Sequence, residues 1–155
     1  MSNNDILRQI RYTFDFSDSE MIELFGLAGQ QVTRAQVSDW LKKEEDPAFQ
    51  ELDDEHLAVF LNGLINSRRG KKEGPQPAPE KRLNNNIIFR KLKIALNLKD
   101  EDILEILEMV NFRLSRHELS AFFRNPSQSQ YRACKDQILR NFLHGMQLKY
   151  RDNAS

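Results

Sequence analysis

Phe60-Leu61-Asn62-Gly63-Leu64 returns 82 positions later as Phe142-Leu143-His144-Gly145-Met146. The same offset carries outward from this pair without a gap, aligning residues 3–69 with 85–151. Asn3-Asn4 meets Asn85-Asn86, Ile6 and Arg8 meet Ile88 and Arg90, and Asp18 and Glu23 meet Asp100 and Glu105. Arg34 and Ser38 meet Arg116 and Ser120, Asp54 and Leu57 meet Asp136 and Leu139, and Arg69 meets Arg151. That is 14 identities in 67 positions, and Ile10/Leu92, Val37/Leu119, Trp40/Phe122 and Phe49/Tyr131 keep their character. One register held from end to end establishes an internal duplication. The chain therefore divides into a first module (1–69), a linker (70–84), a second module (85–151) and a tail (152–155).

Apolar spacing inside each copy is helical. Ile6, Leu7, Ile10 and Phe14 form a stripe mirrored by Ile88, Phe89, Leu92 and Leu96, the three-to-four-residue repeat of a buried helix face. The first helix spans roughly Asn4 to Tyr12 or Phe14, opened by an asparagine able to accept from an unpaired N–H. Ser17-Asp18-Ser19-Glu20 reads as a capping box that starts the second, with Phe16 and Met21 as its staple, and Gly29 suits a left-handed stop. Thr33 with Gln36, and Ser115 with Glu118, are capping boxes for the third, which ends near Lys42 and Arg124. The fourth follows an irregular stretch containing Pro47 or Pro126. A glycine inside a helix costs about 1 kcal/mol relative to alanine, so Gly63 and Gly145, present in both copies, point to close approach by a neighbouring helix. The fold class is all-α: two tandem four-helix modules. The linker, with Pro75, Pro77 and Pro79 alternating, is expected to be an extended, exposed, semi-rigid spacer, long enough to permit exchange of modules between chains.

Charge is balanced overall but segregated. Residues 1–69 carry 7 Lys/Arg against 13 Asp/Glu, the linker 4 against 2, and residues 85–155 12 against 8. Such asymmetry suits docking of the halves, head-to-tail association or attraction of a polyanion; divergence of two solvated surfaces accounts for it equally well. No apolar run reaches the roughly 18 residues that span a bilayer, and the N-terminus lacks the basic and apolar regions of a signal peptide. A single cysteine, Cys134, fits a reducing compartment, so the expected location is the cytoplasm and no membrane partner is implied.

Chemistry-bearing patterns are absent. His56, His117 and His144 fall on different helices, and the sequence contains no HExxH, CxxC, GxSxG, phosphate-loop or dinucleotide motif. Cys134 aligns with Leu52 and reads as a small buried hydrophobe. The acidic clusters Asp18-Ser19-Glu20 and Asp100-Glu101-Asp102 lie at helix starts, where carboxylates meet the helix dipole. Glu44-Glu45-Asp46 has no acidic counterpart, its equivalents being Pro126-Ser127-Gln128. No catalytic residue, cofactor or metal is assigned, and the chain is expected not to be an enzyme.

The third helices resemble the second half of a helix-turn-helix, in which a Thr or Ser opens the recognition helix and polar residues face the groove. On that reading Arg34 and Arg116 reach a guanine or a phosphate, with Lys71, Lys72, Lys81 and Arg82 of the linker touching phosphates. Against it, setting Val37 on the aliphatic anchor puts Gln31 and Arg113 at the turn glycine and Leu27 and Met109 at the small residue. Asp39 and Glu118 also enter the reading face, and helix capping explains the same residues.

The whole chain resembles the YehS-like family of small bacterial proteins. The resemblance is carried by the paired Asn-Asn helix starts, by Ser115-Arg116-His117-Glu118-Leu119-Ser120-Ala121-Phe122-Phe123-Arg124 and by Ile138-Leu139-Arg140-Asn141-Phe142-Leu143-His144-Gly145. It implies a bacterial cytoplasmic protein with a duplicated all-α fold and brings no activity or functional residues. The first copy departs most after Lys43. Two expectations follow: a non-enzymatic interaction protein that binds a protein partner or self-associates, or a nucleic-acid-binding regulator using the third helices.

Overall fold

A computed structural model describes residues 1–152. The first copy folds into α1 (Asn3–Phe14), α2 (Asp18–Leu27), α3 (Arg34–Leu41) and α4 (Asp54–Arg69). The second repeats them as α5 (Asn85–Ala95), α6 (Asp100–Glu108), α7 (Arg116–Ala121) and α8 (Asp136–Gln147), which runs into a π-helical turn, Leu148–Asp152. No strand occurs among the described residues. Of the tail, Asp152 closes the π-turn and residues 153–155 lie outside the described residues.

Local chemistry repeats along with the helices. Ser17/Glu20, Thr33/Gln36 and Ser115/Glu118 each form the reciprocal pair of bonds of a capping box. Left-handed backbone recurs at equivalent positions, Asp15 and Asn97 at φ 53° and Gly29 and Asn111 at φ 88° and 57°, where short polar side chains or glycine tolerate the geometry. The helix starts differ from the sequence reading. Ser2 and Asn84 cap α1 and α5, not the asparagines inside the helices. Asn4 is instead buried: its amide donates to the Trp40 and Gln50 carbonyls, both at 2.9 Å, and its Oδ1 accepts from Leu52 N–H at 3.0 Å. Asn86 makes the equivalent three bonds to Phe122, Arg132 and Cys134. One side chain thus fastens the irregular stretch before the fourth helix to the first helix, satisfying backbone groups that no regular element pairs.

Gly63 and Gly145 are packing glycines. A Cβ on Gly63 would lie 1.8 Å from the Leu24 carbonyl oxygen, and one on Gly145 2.5 Å from that of Ile106. Backbone therefore meets backbone where α4 crosses α2 and α8 crosses α6.

The two copies pack within one chain, and reciprocally. Helix α4 lies along α5 and α8 along α1, so each first helix touches the other copy's fourth helix more extensively than its own. Asp54 accepts from Asn3 of its own copy and from the Leu83 N–H that leads into the second; Asp136 accepts likewise from Asn85 and from the Met1 ammonium. Leu83 and Met1 are themselves equivalent under the repeat. The buried apolar residues of both modules form one continuous core; sharing it offsets the marginal core that a unit this small has alone. The linker has no regular structure, but it is tacked down rather than free. Gln76 accepts from Asn66 at 3.0 Å, Glu80 lies 3.0 Å from Lys91 Nζ, and Leu83 bonds Asp54. Among the described residues no helix is long and apolar enough to cross a membrane.

Candidate functional site

Reciprocal packing creates two equivalent seams, α1 against α8 and α5 against α4, and sequence divergence has treated them differently. In the α1/α8 seam Arg151 is locked. It donates to the Tyr12 carbonyl at 2.5 Å, lies 3.8 Å over the Tyr12 ring and sits 3.6 Å from Asp15 Oδ1. The π-turn carries Arg151 here and brings Tyr150 to within 5.4 Å of the Phe14 ring. Carbonyl and ring face hold the guanidinium, and the largely exposed Asp15 carboxylate stands at ion-pair distance.

The α4/α5 seam keeps the arginine and loses its partners. Arg69 is equivalent to Arg151, but Tyr12 is replaced by Ile94 and Asp15 by Asn97. Among the described residues Arg69 makes no ion pair, and Ile94 is as exposed, at 45%, as Tyr12 is at 47%. The seam opens into a groove of about 700 Å³ beneath the linker, floored by Ile65, Ile87 and Ile94 and rimmed by Arg69, Lys72 and Arg90. A second hollow of about 350 Å³ shares Arg69, Arg90 and Ile94 and extends to Asn97 and Phe123. The first falls within the size range of ligand-binding clefts. Lys91 is neutralised inside by Glu80, close enough for an ion pair though not aligned as a hydrogen bond, and donates to Asn62 at 2.6 Å. Lys93, on the edge of the second hollow, is held by Asp100 at 3.1 Å. Arg90 spends one donor on the Phe123 carbonyl at 3.2 Å. Arg69 and Lys72 are uncommitted, and Arg90 has donors to spare.

The residues singled out in the sequence are brought together only in part. Lys72 lines the groove, whereas Lys71, Lys81 and Arg82 are exposed on the linker and do not line it. Arg34 and Arg116 lie elsewhere, at the starts of α3 and α7, each leaning on the acidic start of the preceding helix. Arg34 is 3.5 Å from Asp18 and donates to Ser19 at 3.0 Å; Arg116 donates to Glu101 at 3.3 Å. Both remain largely exposed, so these pairs are weak and yield readily to a competing anion. The acidic helix starts thus act both as dipole partners and as counter-ions to the arginines.

Other reactive groups are occupied structurally. His56 lies 2.6 Å from the Asp53 carboxylate and its ring packs on Trp40 at 5.2 Å. Burial pushes the Cys134 thiol up to about 12, while a backbone bond at Leu139 pulls the other way and Asp136 adds to the rise. At that value the thiol is inert as a nucleophile. Among the described residues no group of three or more His, Cys, Asp and Glu side chains is placed to hold a metal ion.

These features define a tandemly duplicated all-helical protein whose copies interlock, with one seam sealed by its own side chains and the other left open and cationic. The chain belongs to the family described as "Protein of unknown function (DUF1456)", which matches it twice, over residues 3–70 and 85–152. It is 44% identical over 147 residues, 94% of each chain, to the "Uncharacterized protein YehS" of Escherichia coli (strain K12). No solved structure matches it.

Sequence reasoning missed Arg69, Arg90, Ile94 and Asn97 as a group. The signal lay in the repeat: an arginine kept at both equivalent positions while its two neighbours in space changed from Tyr and Asp to Ile and Asn.

Proposed function

We propose that this protein is a non-enzymatic interaction protein of the bacterial cytoplasm that docks an acidic, partly apolar protein segment in the α4/α5 groove. One observation carries the reading. Arg69 stands without a carboxylate in an open, apolar-floored groove, at the position where its equivalent, Arg151, is held by Tyr12 with Asp15 at ion-pair distance. An incoming carboxylate replaces the missing one, and isoleucine-lined walls bury the apolar part of the segment. Apolar contact with the isoleucine walls supplies the rest of the affinity, and the surrounding linker cations raise the rate of encounter.

The cationic run Arg68-Arg69-Lys71-Lys72 with Lys81-Arg82 also favours a second reading, binding of nucleic-acid phosphates. The pairing of Arg34 and Arg116 with acidic neighbours reduces their availability for it but does not remove it. Fluorescence anisotropy separates the two. A labelled peptide alternating Glu and Leu is expected to bind, its Gln-Leu analogue is not, and Arg69→Glu abolishes binding. Failure of the Glu-Leu peptide to bind at low salt refutes the docking proposal. Tighter binding of a mixed DNA duplex, lost on replacing Arg34 and Arg116 and falling steeply with salt, replaces it with the nucleic-acid reading.

A further inference from the structure

We infer that the segment received by the groove is the acidic loop Glu44-Glu45-Asp46 of a second copy of this chain, so that the protein self-associates loop to groove; the inference rests on the docking reading above. The loop between α3 and α4 presents Glu44, Glu45, Asp46, Pro47 and Ala48, all exposed. Among the described residues none of the three carboxylates makes an ion pair, and the only side-chain bond is Asp46 accepting from Ala48 N–H at 2.9 Å. Three adjacent carboxylates without counter-ions repel one another and are relieved by a cationic partner.

The loop and the groove are complementary products of the same divergence. The loop equivalent to Glu44-Asp46 in the second copy is Pro126-Ser127-Gln128, which is uncharged, and its Pro126 lines the groove. The seam equivalent to the groove is closed by Arg151. Divergence therefore left one loop acidic and one seam cationic: the first copy's α3–α4 loop presents acid, and the α4/α5 seam presents Arg69 of the first copy, Lys72 of the linker and Arg90 of the second. Loop and groove are different surfaces, so two chains either exchange them reciprocally in a closed two-fold dimer or link them onward into a ring or an open string. The apolar side chains Pro47 and Ala48 follow the carboxylates directly and meet the isoleucine floor.

Sedimentation velocity on the full chain tests this, with thermal melts confirming that each variant folds. Wild type is expected to associate with rising concentration and to dissociate as salt screens the contact. Reversing the loop (Glu44→Lys, Glu45→Lys, Asp46→Lys) or the groove (Arg69→Glu, Arg90→Glu) weakens association by about tenfold or more in each case. Mixing the two reversed chains restores it, because each supplies what the other lacks. A wild-type chain that stays monomeric at every concentration, association that survives either reversal, or a mixture that stays monomeric overturns the inference. A monomeric chain that still binds the Glu-Leu peptide through Arg69 overturns self-docking and leaves the docking groove standing; loss of both overturns both.

Discussion

Replacing Gly63 by alanine sets two effects of known sign against each other. Alanine gains about 1 kcal/mol over glycine inside a helix, so an exposed glycine in α4 would be a site for stabilisation. Gly63 is not exposed. The added Cβ would lie 1.8 Å from the Leu24 carbonyl oxygen and 2.7 Å from its carbonyl carbon, whereas real Cβ contacts essentially never fall under 3.0 Å. The helices must separate by about 1.2 Å to reach even that limit. Neither partner atom is a side chain that can rotate away. Overpacking of this kind costs about 3 kcal/mol, leaving a net loss of about 2 kcal/mol after the helix gain. In a domain of this size that lowers Tm by about 4–8 °C. Gly145 provides an internal control: its Cβ would need only about 0.5 Å, and a side-chain atom, Ile106 Cγ2, supplies part of the crowding. Gly145→Ala is expected to destabilise as well, by about 1 kcal/mol net and less than Gly63→Ala. Urea unfolding followed by circular dichroism reads both. A Gly63→Ala chain as stable as wild type, or more so, refutes the backbone-to-backbone crossing.

The buried asparagines give a second check on the fold. Asn4→Ala leaves the Leu52 N–H and two carbonyls without partners and is expected to cost about 2–4 kcal/mol in urea unfolding, with Asn86→Ala close behind. Cys134, with its thiol pushed up to about 12 from an ordinary 9.0, is expected to resist iodoacetamide in the folded chain at about pH 8 and to react only in denaturant. The raised value also means that the stability it contributes, complete below pH 9.0, is lost as pH rises toward about 12. At the acid end, backbone and side-chain bonds from Ser17 and Ser115 hold Glu20 and Glu118 below the ordinary 4.5. Their contribution is therefore present above pH 4.5 and lost as pH falls through the depressed values, seen as a falling Tm that Glu20→Gln blunts.

Much of the fold was legible because duplication doubles each local signal. A capping box at Ser115 confirms one at Thr33, and a glycine met twice inside the same helix announces a close crossing before any coordinate is known. What could not be read were side chains acting across long separations. Asn4 looks like a helix cap by position, and only the return of residues 50–52 onto α1 shows its amide bonded to the end of α3 and to the irregular chain beyond it. The groove was illegible for a related reason. Arg69 and Arg151 look alike in sequence, and their difference lies in neighbours contributed by another helix of the other copy. Arg34 and Arg116 attracted attention because they repeat, yet their shared feature is a counter-ion on the preceding helix.

The central claim is that the α4/α5 seam binds because it lacks the seal present in its twin, and grafting that seal tests it most directly. Ile94→Tyr with Asn97→Asp gives Arg69 the ring and carboxylate that hold Arg151; position 97 shares the left-handed backbone of Asp15, so the aspartate fits without strain. Anisotropy with the labelled Glu-Leu peptide is predicted to show binding lost in the grafted chain, whose melting temperature is unchanged or raised. Undiminished peptide binding to a grafted, folded chain would contradict the account.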